Sequence, residues 1–377
     1  MKKIKLGMIG GGPGAFIGDA HRRASRISNS YQLIGGAFSS DYEKSKQFAA
    51  EENLDINRVY TSVDAFIAGE LAQNKEDRIQ AVAIVTPNAL HFEAAKKLLE
   101  NGFHLICEKP MTFTVDEAVV LEKIVAETNL TFALAHTYTG YPMVRQMKEI
   151  VKSGALGTIH RVDAQYYQGW VNSIIQGTDS GITGVWRLEP EHAGMSSCMG
   201  DIGVHAFNMI EYTTGLEVKK VLADLNNVKE HVQLDLDGTV LLNLGDNIKG
   251  VLRSSQVAAG EENNLSIGIY GSEASLKWSQ EDPNFLYMLS DSEPTKVYKP
   301  AHAYNSAFAE ASHVMPSGHP EGIYEALANI YEGAAKSIRG DEYVIGEFPT
   351  VLDGLRGMKF ISNVVASDKE GNVWKDL

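Results

Sequence analysis

The chain has only two cysteines among its 377 residues, Cys107 and Cys198. No disulfide framework is implied, and a reducing compartment, the cytoplasm, is the expected location. Two isolated cysteines and scattered histidines give no zinc-ligand spacing, so no metal site is expected. Basic residues are also scarce. The 34 Lys and Arg against 48 Asp and Glu leave a formal net charge of −14. That balance argues against nucleic acid or an anionic membrane as the main partner, because phosphate binding needs clustered cations. Nowhere do about 18 apolar residues run together, so the sequence offers no bilayer span. The apolar stretch behind Met1-Lys2-Lys3 gives way to glycines after about seven residues. It is too short for a signal-peptide core and reads as a first β-strand. No internal repeat or low-complexity segment is visible.

What is present is ordinary for a globular protein: 44% hydrophobic and 22% charged residues. The length exceeds what one hydrophobic core supports, so two domains are expected. Residues 4–9 run straight into Gly10-Gly11-Gly12-Pro13-Gly14, after which Ala15, Ile17, Ala20, Ala24 and Ile27 fall at helical spacing. Apolar runs at 31–38, 79–86, 103–107 and 131–138 are each followed by a helix-like stretch, at 41–52, 89–101, 114–128 and 142–153. Strands alternating with helices predict a parallel, doubly wound sheet. Beyond Gly154 the texture becomes β alternation, at 158–168, 217–228, 232–244, 248–257, 264–271 and 274–278, with turn residues such as Asp237-Gly238. This predicts a second, mostly antiparallel sheet, interrupted by an insertion at 169–200 and a helix at 201–213. Helices at 320–339 and 350–366 close the chain.

The glycine segment fits the looser G-x-G-x-x-A fingerprint, directly after a strand and opening a helix. Glycine is required there because the backbone turns tightly and approaches a pyrophosphate that sits on the free N–H groups of the helix N-terminus. Gly10, Gly12, Pro13, Gly14, Ala15, Phe16 and Ile17 are the candidate cofactor contacts. An ordinary glycine-rich turn is the bland alternative, and position after the strand favours the dinucleotide. Gly18 reads as a close-packing residue. About 20 residues on, where an acidic side chain would hold the ribose 2′-hydroxyl of NAD, the chain has Ser39-Ser40. A hydroxyl tolerates either cofactor, Lys44 could reach a 2′-phosphate, and Asp41 fits a helix N-cap as well as a ribose contact. NAD against NADP stays open, with a mild lean to NAD.

Thr86-Pro87-Asn88 with His91, and Glu108-Lys109-Pro110, follow the third and fourth predicted strands at the edge where open α/β sheets bind ligands. With Gly10–Gly14 and Gly200-Asp201-Ile202-Gly203-Val204-His205, in this order and spacing, they resemble the glucose-fructose oxidoreductase/inositol dehydrogenase (Gfo/Idh/MocA) family. The resemblance extends to Ile269-Tyr270-Gly271-Ser272 and covers nearly the whole chain. It implies an N-terminal Rossmann dinucleotide-binding domain, 1–139, and a C-terminal α/β domain for substrate binding and oligomerisation, 140–377, with the active site between them. It further implies that Lys109, Asp201 and His205 form the catalytic group and that the Lys109–Pro110 bond is cis. Thr86, Pro87, Asn88, His91, Glu108 and Lys109 join the cofactor contacts, as do Trp186 and Arg187. The glycine loop as far as Gly18, and the segment Ser317–Gly322, depart from the better-known inositol and glucose-fructose enzymes and look like a poorly characterised branch.

The chemistry suits these residues. Four residues apart on a predicted helix, Asp201 and His205 share a face. Oxidising a secondary alcohol needs a base for the hydroxyl proton as hydride leaves for nicotinamide, and histidine titrates in that range. His205 is assigned as the base, Lys109 as the charge that stabilises the developing alkoxide, and Asp201 as the group that holds His205 or a neighbouring hydroxyl. Without the resemblance, Lys109 reads as a solvated charge, Asp201 as an N-cap and His205 as a half-buried histidine. Sugar recognition calls for aromatic faces and uncharged polar groups. Tyr138, Tyr141, Tyr166, Gln168, Trp170 and His319 are candidates, and Trp186-Arg187 could serve here too. The expected protein is an NAD(P)-dependent oxidoreductase acting on a sugar or cyclitol hydroxyl. The alternatives are a glycoside-processing enzyme that cycles tightly bound NAD through a keto sugar, and a non-catalytic NAD(P) sensor. Apolar residues on both faces of the second sheet predict a homodimer or homotetramer.

Overall fold

The computed structural model describes residues 2–177, 185–344 and 346–377. Residues 178–184, part of the insertion expected at 169–200, lie outside the described residues. The chain forms two compact units, one of residues 1–140 with 323–355 and one of 141–322 with 356–377. The expected range 140–377 is therefore broken by a segment that belongs to the first unit. The physical reason is a helix, Ile323–Arg339, whose Leu327, Ile330, Tyr331 and Ala334 are buried with Leu6, Met8, Ala24 and Phe38 of the first unit.

In the first unit, β1 (Ile4–Gly10), β2 (Tyr31–Ala37), β3 (Ala81–Val85), β4 (His104–Cys107) and β5 (Phe132–Leu134) form a parallel sheet in the order β2-β1-β3-β4-β5. Between them run α1 (Phe16–Ile27), α2 (Tyr42–Glu51), α3 (Val63–Leu71), α4 (His91–Glu100) and α5 (Val115–Thr128). Local capping explains several starts. Asp41 accepts from Glu43 and Lys44 N–H to open α2, and Thr114 with Glu117 forms a capping box for α5. Sequence periodicity missed α3, where Asp64, Gly69 and Glu70 interrupt the apolar residues without making a polar face; Glu70 is buried and bonded to Arg58. The strand expected at 131–138 ends at Leu134, because the chain turns at 137–140, where Thr139 N–H and hydroxyl both donate to the His136 carbonyl.

The second unit begins with α6 (Pro142–Lys152) and β6 (Ile159–Tyr167), followed by the short helices α7 (Val171–Ile175) and α8 (Pro190–Ala193). After α9 (Val204–Thr214) come β7 (Lys220–Asn226), β8 (Asp237–Asn243), β9 (Lys249–Ser255), β10 (Asn264–Gly271), β11 (Ser275–Ser279), β12 (Leu286–Leu289) and β13 (Lys296–Tyr298). The short α10 (Ala307–Glu310) precedes the helix already met, α11 (Ile323–Arg339); α12 (Val351–Lys369) and β14 (Lys375–Asp376) complete the chain. Among the described residues the sheet has nine strands, β13-β12-β11-β10-β6-β9-β8-β7-β14, antiparallel except where β6 pairs with β9. Asp237-Gly238, expected as a turn, opens β8 instead; the β8–β9 turn lies at Gly245-Asp246-Asn247, all with positive φ.

One face of this sheet is covered by α9, packed on β6 and β10, and by α6, packed on β11 and β12. The other face is not the apolar surface expected. Leu241, Tyr287 and Val297 are exposed there, but they alternate with Gln165, Arg253 and Lys277. Among the described residues no helix is long and apolar enough to cross a membrane.

Candidate active site

Register places three turns side by side at the carboxyl edge of the first sheet, since Gly10 pairs with Val85 and Ile84 with Cys107. The first is the glycine turn. Gly10, Gly11 and Gly14 have φ of +82°, +71° and +77°, a conformation that costs glycine nothing. Gly12 donates its N–H to the Phe38 carbonyl at 3.0 Å, and a Cβ on Gly12 would stand 2.7 Å from that oxygen. Gly18 packs on the backbone of Gly11, where a Cβ would come within 2.4 Å. Helix α1 then begins at Phe16 behind Ala15, with no side chain capping its first N–H groups. Pro13, Gly14 and Phe16 are exposed and Ile17 half-buried. Beside the turn, the Thr86 hydroxyl is buried with no hydrogen-bond partner among the protein groups. An uncapped helix start, a cradle without side chains and an unsatisfied hydroxyl together fit a dinucleotide pyrophosphate.

At the end of β2, Asp41 is committed to the α2 cap. The Ser39 hydroxyl accepts from Asp41 N–H at 3.1 Å, Ser40 is exposed, and exposed Lys44 stands 4.0 Å from Asp41. Ser40 is thus the exposed hydroxyl residue that follows β2.

The other two turns are joined by His91. Its Nδ1 lies 2.9 Å from the Pro110 carbonyl and its Nε2 2.8 Å from that of Thr86. Expected as a cofactor contact, His91 is fully buried and instead fastens the turns that carry Thr86-Pro87-Asn88 and Lys109-Pro110. Burial pushes its pKa down, against the two backbone hydrogen bonds. The Lys109–Pro110 bond is cis, and Lys109 is half-buried. Glu108 also turns inward, with Oε1 2.9 Å from His21 Nε2 and Oε2 accepting from Lys109 N–H at 3.2 Å. Burial opposes its ionisation, but the His21 hydrogen bond and the charges of His21 and Lys109 prevail and hold it below the ordinary carboxylate range. His136 is pushed down to about 3 by burial and by the Lys109 charge, so it is neutral.

In the second unit, Asp201 lies in a wide π-turn, Met199–Gly203, that leads into α9, so the regular α-helix expected at 201–213 starts only at Val204. Such turns recur at functional sites. Asp201 Oδ1 is 3.1 Å from Arg187 Nε, and Oδ2 accepts from Gln256 Nε2 at 2.9 Å. Arg187 lies over the Trp186 ring at 4.4 Å. Trp186 and Arg187, expected as cofactor contacts, therefore belong to the group around Asp201. Buried Asp235 accepts from the N–H groups of Ser197 and Met199 and so fixes the start of the π-turn. His205 is buried, with the Tyr166 ring 6.2 Å away. Tyr166 hydroxyl and Gln168 Nε2 both donate to Asn263 Oδ1, at 2.6 and 2.9 Å, and Trp170 Nε1 donates to Gln168 Oε1 at 3.0 Å.

Three candidates fall outside these groups. Tyr138 is buried in the turn after β5, Tyr141 is buried against Trp278 at the start of α6, and His319 sits in an exposed turn facing the Pro316 carbonyl at 3.3 Å. The two tyrosines are core residues because the chain around them turns inward. Sequence reasoning missed His21, Tyr331, Asp235, Gln256 and Asn263. None of these left a signal: Asp235 falls on a polar position of the alternation Val232-Gln233-Leu234-Asp235-Leu236 and reads there as a surface acid.

Residues 4–136 match the oxidoreductase family with an NAD-binding Rossmann fold, and residues 144–277 match the GFO/IDH/MocA C-terminal domain. The chain belongs to the Gfo/Idh/MocA family and is an NAD(P)-binding oxidoreductase. It is 31% identical to the uncharacterized oxidoreductase YfiI of Bacillus subtilis (strain 168), over 100% of this chain and 97% of that one. An oxidoreductase from Sinorhizobium meliloti has a similar structure, with a TM-score of 0.89 and 39% identity over 100% of both chains. So does an inositol dehydrogenase homolog from Azotobacter vinelandii complexed with NADH and myo-inositol, with a TM-score of 0.90 and 28% identity over 100% of this chain and 98% of that one.

The Gly12–Phe38 contact generates a prediction. Gly12→Val is expected to abolish dinucleotide binding in a fluorescence titration, because the new side chain collides with a backbone carbonyl that cannot move aside. Retention of more than about a tenth of wild-type affinity by a folded variant would show that this turn does not seat the pyrophosphate.

Proposed function

We propose that the chain is a cytoplasmic dehydrogenase that moves a hydride between a secondary hydroxyl of a sugar, sugar derivative or cyclitol and diffusible NAD(P). The observation that carries this reading is the shared carboxyl edge of the first sheet, where the glycine turn and the Lys109 turn flank the Thr86 turn. NAD(P), when bound, supplies the hydride acceptor. Lys109 places a positive charge at the substrate oxygen and stabilises alkoxide character there. His205 takes the hydroxyl proton. Asp201, restrained by Arg187 and Gln256, orients His205 or a substrate hydroxyl. Tyr166, Gln168 and Trp170 suit polyol recognition, since they combine aromatic faces with uncharged donors and acceptors. The Azotobacter homolog's complex with myo-inositol supports this substrate class.

Incubating the purified protein with sugars and inositols, and following NAD(P)H absorbance, tests the reading. Turnover with free cofactor supports it. Co-purified nucleotide without net reduction would select an internal redox cycle, and no reaction at all a sensor. Lys109→Ala is expected to lower turnover about 10²–10³-fold and His205→Ala about 10²–10⁴-fold, both with dinucleotide affinity nearly intact. A His205→Ala rate above about a tenth of wild type would remove the base role from His205.

Both cofactors are expected to bind, with a mild lean to NAD, because Asp41 is committed to its helix cap and no arginine adjoins Ser40. A preference above about a hundredfold in isothermal titration, roughly 2.7 kcal/mol, would overturn this.

We also propose a homodimer or homotetramer, through the second sheet's outer face, where Leu241, Tyr287 and Val297 are exposed among the polar residues named above. Light scattering at micromolar concentration that reports a monomer would contradict it.

A further inference from the structure

Buried behind the Lys109 turn is a chain of three polar side chains to which the proposed reaction assigns no role. His21 and Tyr331 are wholly inaccessible to solvent and Glu108 is 7% exposed. Tyr331 hydroxyl lies 2.8 Å from His21 Nδ1, His21 Nε2 lies 2.9 Å from Glu108 Oε1, and Glu108 Oε2 accepts from Lys109 N–H at 3.2 Å. His21 sits on α1, whose first turn receives the dinucleotide. One buried carboxylate therefore ties the cofactor helix to the backbone of Lys109.

We propose that His21 and Tyr331 are positioning residues that hold Glu108 as a carboxylate clamp on the Lys109 backbone and so aim the Lys109 ammonium at the reacting oxygen. The proposal rests on the role given to Lys109 above. Burying a carboxylate is costly unless it is paired and hydrogen-bonded, and here both oxygens have partners. A backbone N–H can only donate, so the oxygen facing Lys109 must be an acceptor. With Glu108 ionised, His21 Nε2–H donates to it, and Nδ1 pairs with the Tyr331 hydroxyl, which can donate or accept, so all three side chains have a partner. A displacement of about 1 Å at a reacting group costs about 10²-fold in rate, which is reason enough to keep such a clamp. A purely apolar filling at position 21 would leave the Lys109 turn without it.

The titratable groups around Glu108 are His21 from α1, Tyr331 from α11, His91 from α4, Cys107 at the end of β4, His136 after β5 and Lys109 itself. His136 is neutral, and burial raises the Tyr331 and Cys107 values, so those two are neutral as well. Without the His21 donor the burial penalty on Glu108 is less opposed and its pKa rises. The clamp then fails at a higher pH.

His21→Phe is the decisive variant. It is expected to lower kcat about tenfold to a hundredfold, to leave dinucleotide affinity within about twofold, and to move upward the lower acid limb of the kcat–pH profile, the one that follows Glu108 and lies below the limb of the His205 base. His21→Gln, which keeps a side-chain donor, should restore part of both effects. Tyr331→Phe should shift them in the same direction by less. Amide hydrogen exchange gives a second readout that needs no substrate: the Lys109 N–H should exchange at least about tenfold faster in His21→Phe, with α5 unchanged. Faster exchange in a protein that oxidises no polyol would sink the proposed function and keep the clamp. A folded His21→Phe with wild-type kcat, acid limb and Lys109 exchange would overturn the clamp. If His21→Phe does not fold, the same three measurements on His21→Gln and Tyr331→Phe decide, and wild-type values in both overturn it.

Discussion

A parallel sheet that winds from β1 to β2 on one side and continues through β3 on the other must open a crevice at the carboxyl end of β1. The order β2-β1-β3-β4-β5 imposes that constraint, and the nucleotide half of the site follows from it. The chain leaves β1 into left-handed glycines, enters α1 with its first N–H groups uncapped, and returns twice more to the same edge with the Thr86 and Lys109 turns. Gly12 against the Phe38 carbonyl and Gly18 against Gly11 show how little space the turn leaves. The chemistry at this edge depends on backbone proximity before it depends on any side chain.

Buried polar groups then do the positioning. Glu108 holds the Lys109 N–H, Asp235 holds the Ser197 and Met199 N–H groups, and His91 joins the Thr86 and Pro110 carbonyls. Each is a side chain removed from water that is set against backbone polar groups, and such groups are stable out of water only when they are hydrogen-bonded. Loops that would otherwise be mobile gain fixed geometry in this way. The placement of Lys109 and Asp201 is thereby set by residues that have no reason to meet the substrate.

Much of this organisation was legible in the residues. Period-two and helical patterns located the first sheet, most of the second, and both long C-terminal helices. The fingerprint at Gly10–Gly14 and the turn at Lys109 were visible because they are contiguous in the chain. Elements without a clean period were not, as with α3, whose polar residues make no face, and the short outer strands β12 and β13. The Asp237-Gly238 turn was misread because a glycine inside a strand is locally indistinguishable from one in a hairpin.

The sequence by itself determined the local structures and the glycine fingerprint of an NAD(P)-binding fold, because helix, strand and turn preferences act over a few neighbours. Only the tertiary structure decided which groups meet. His21 finds Glu108 across 87 positions and Tyr331 across 310, Gln256 reaches Asp201 across 55, and Asn263 joins Tyr166 across 97. It also decided that α11 completes the first core and that Tyr138 and Tyr141 are buried. Such pairings are set by strand order and by the packing of distant apolar faces, and no spacing within a short window of sequence encodes them.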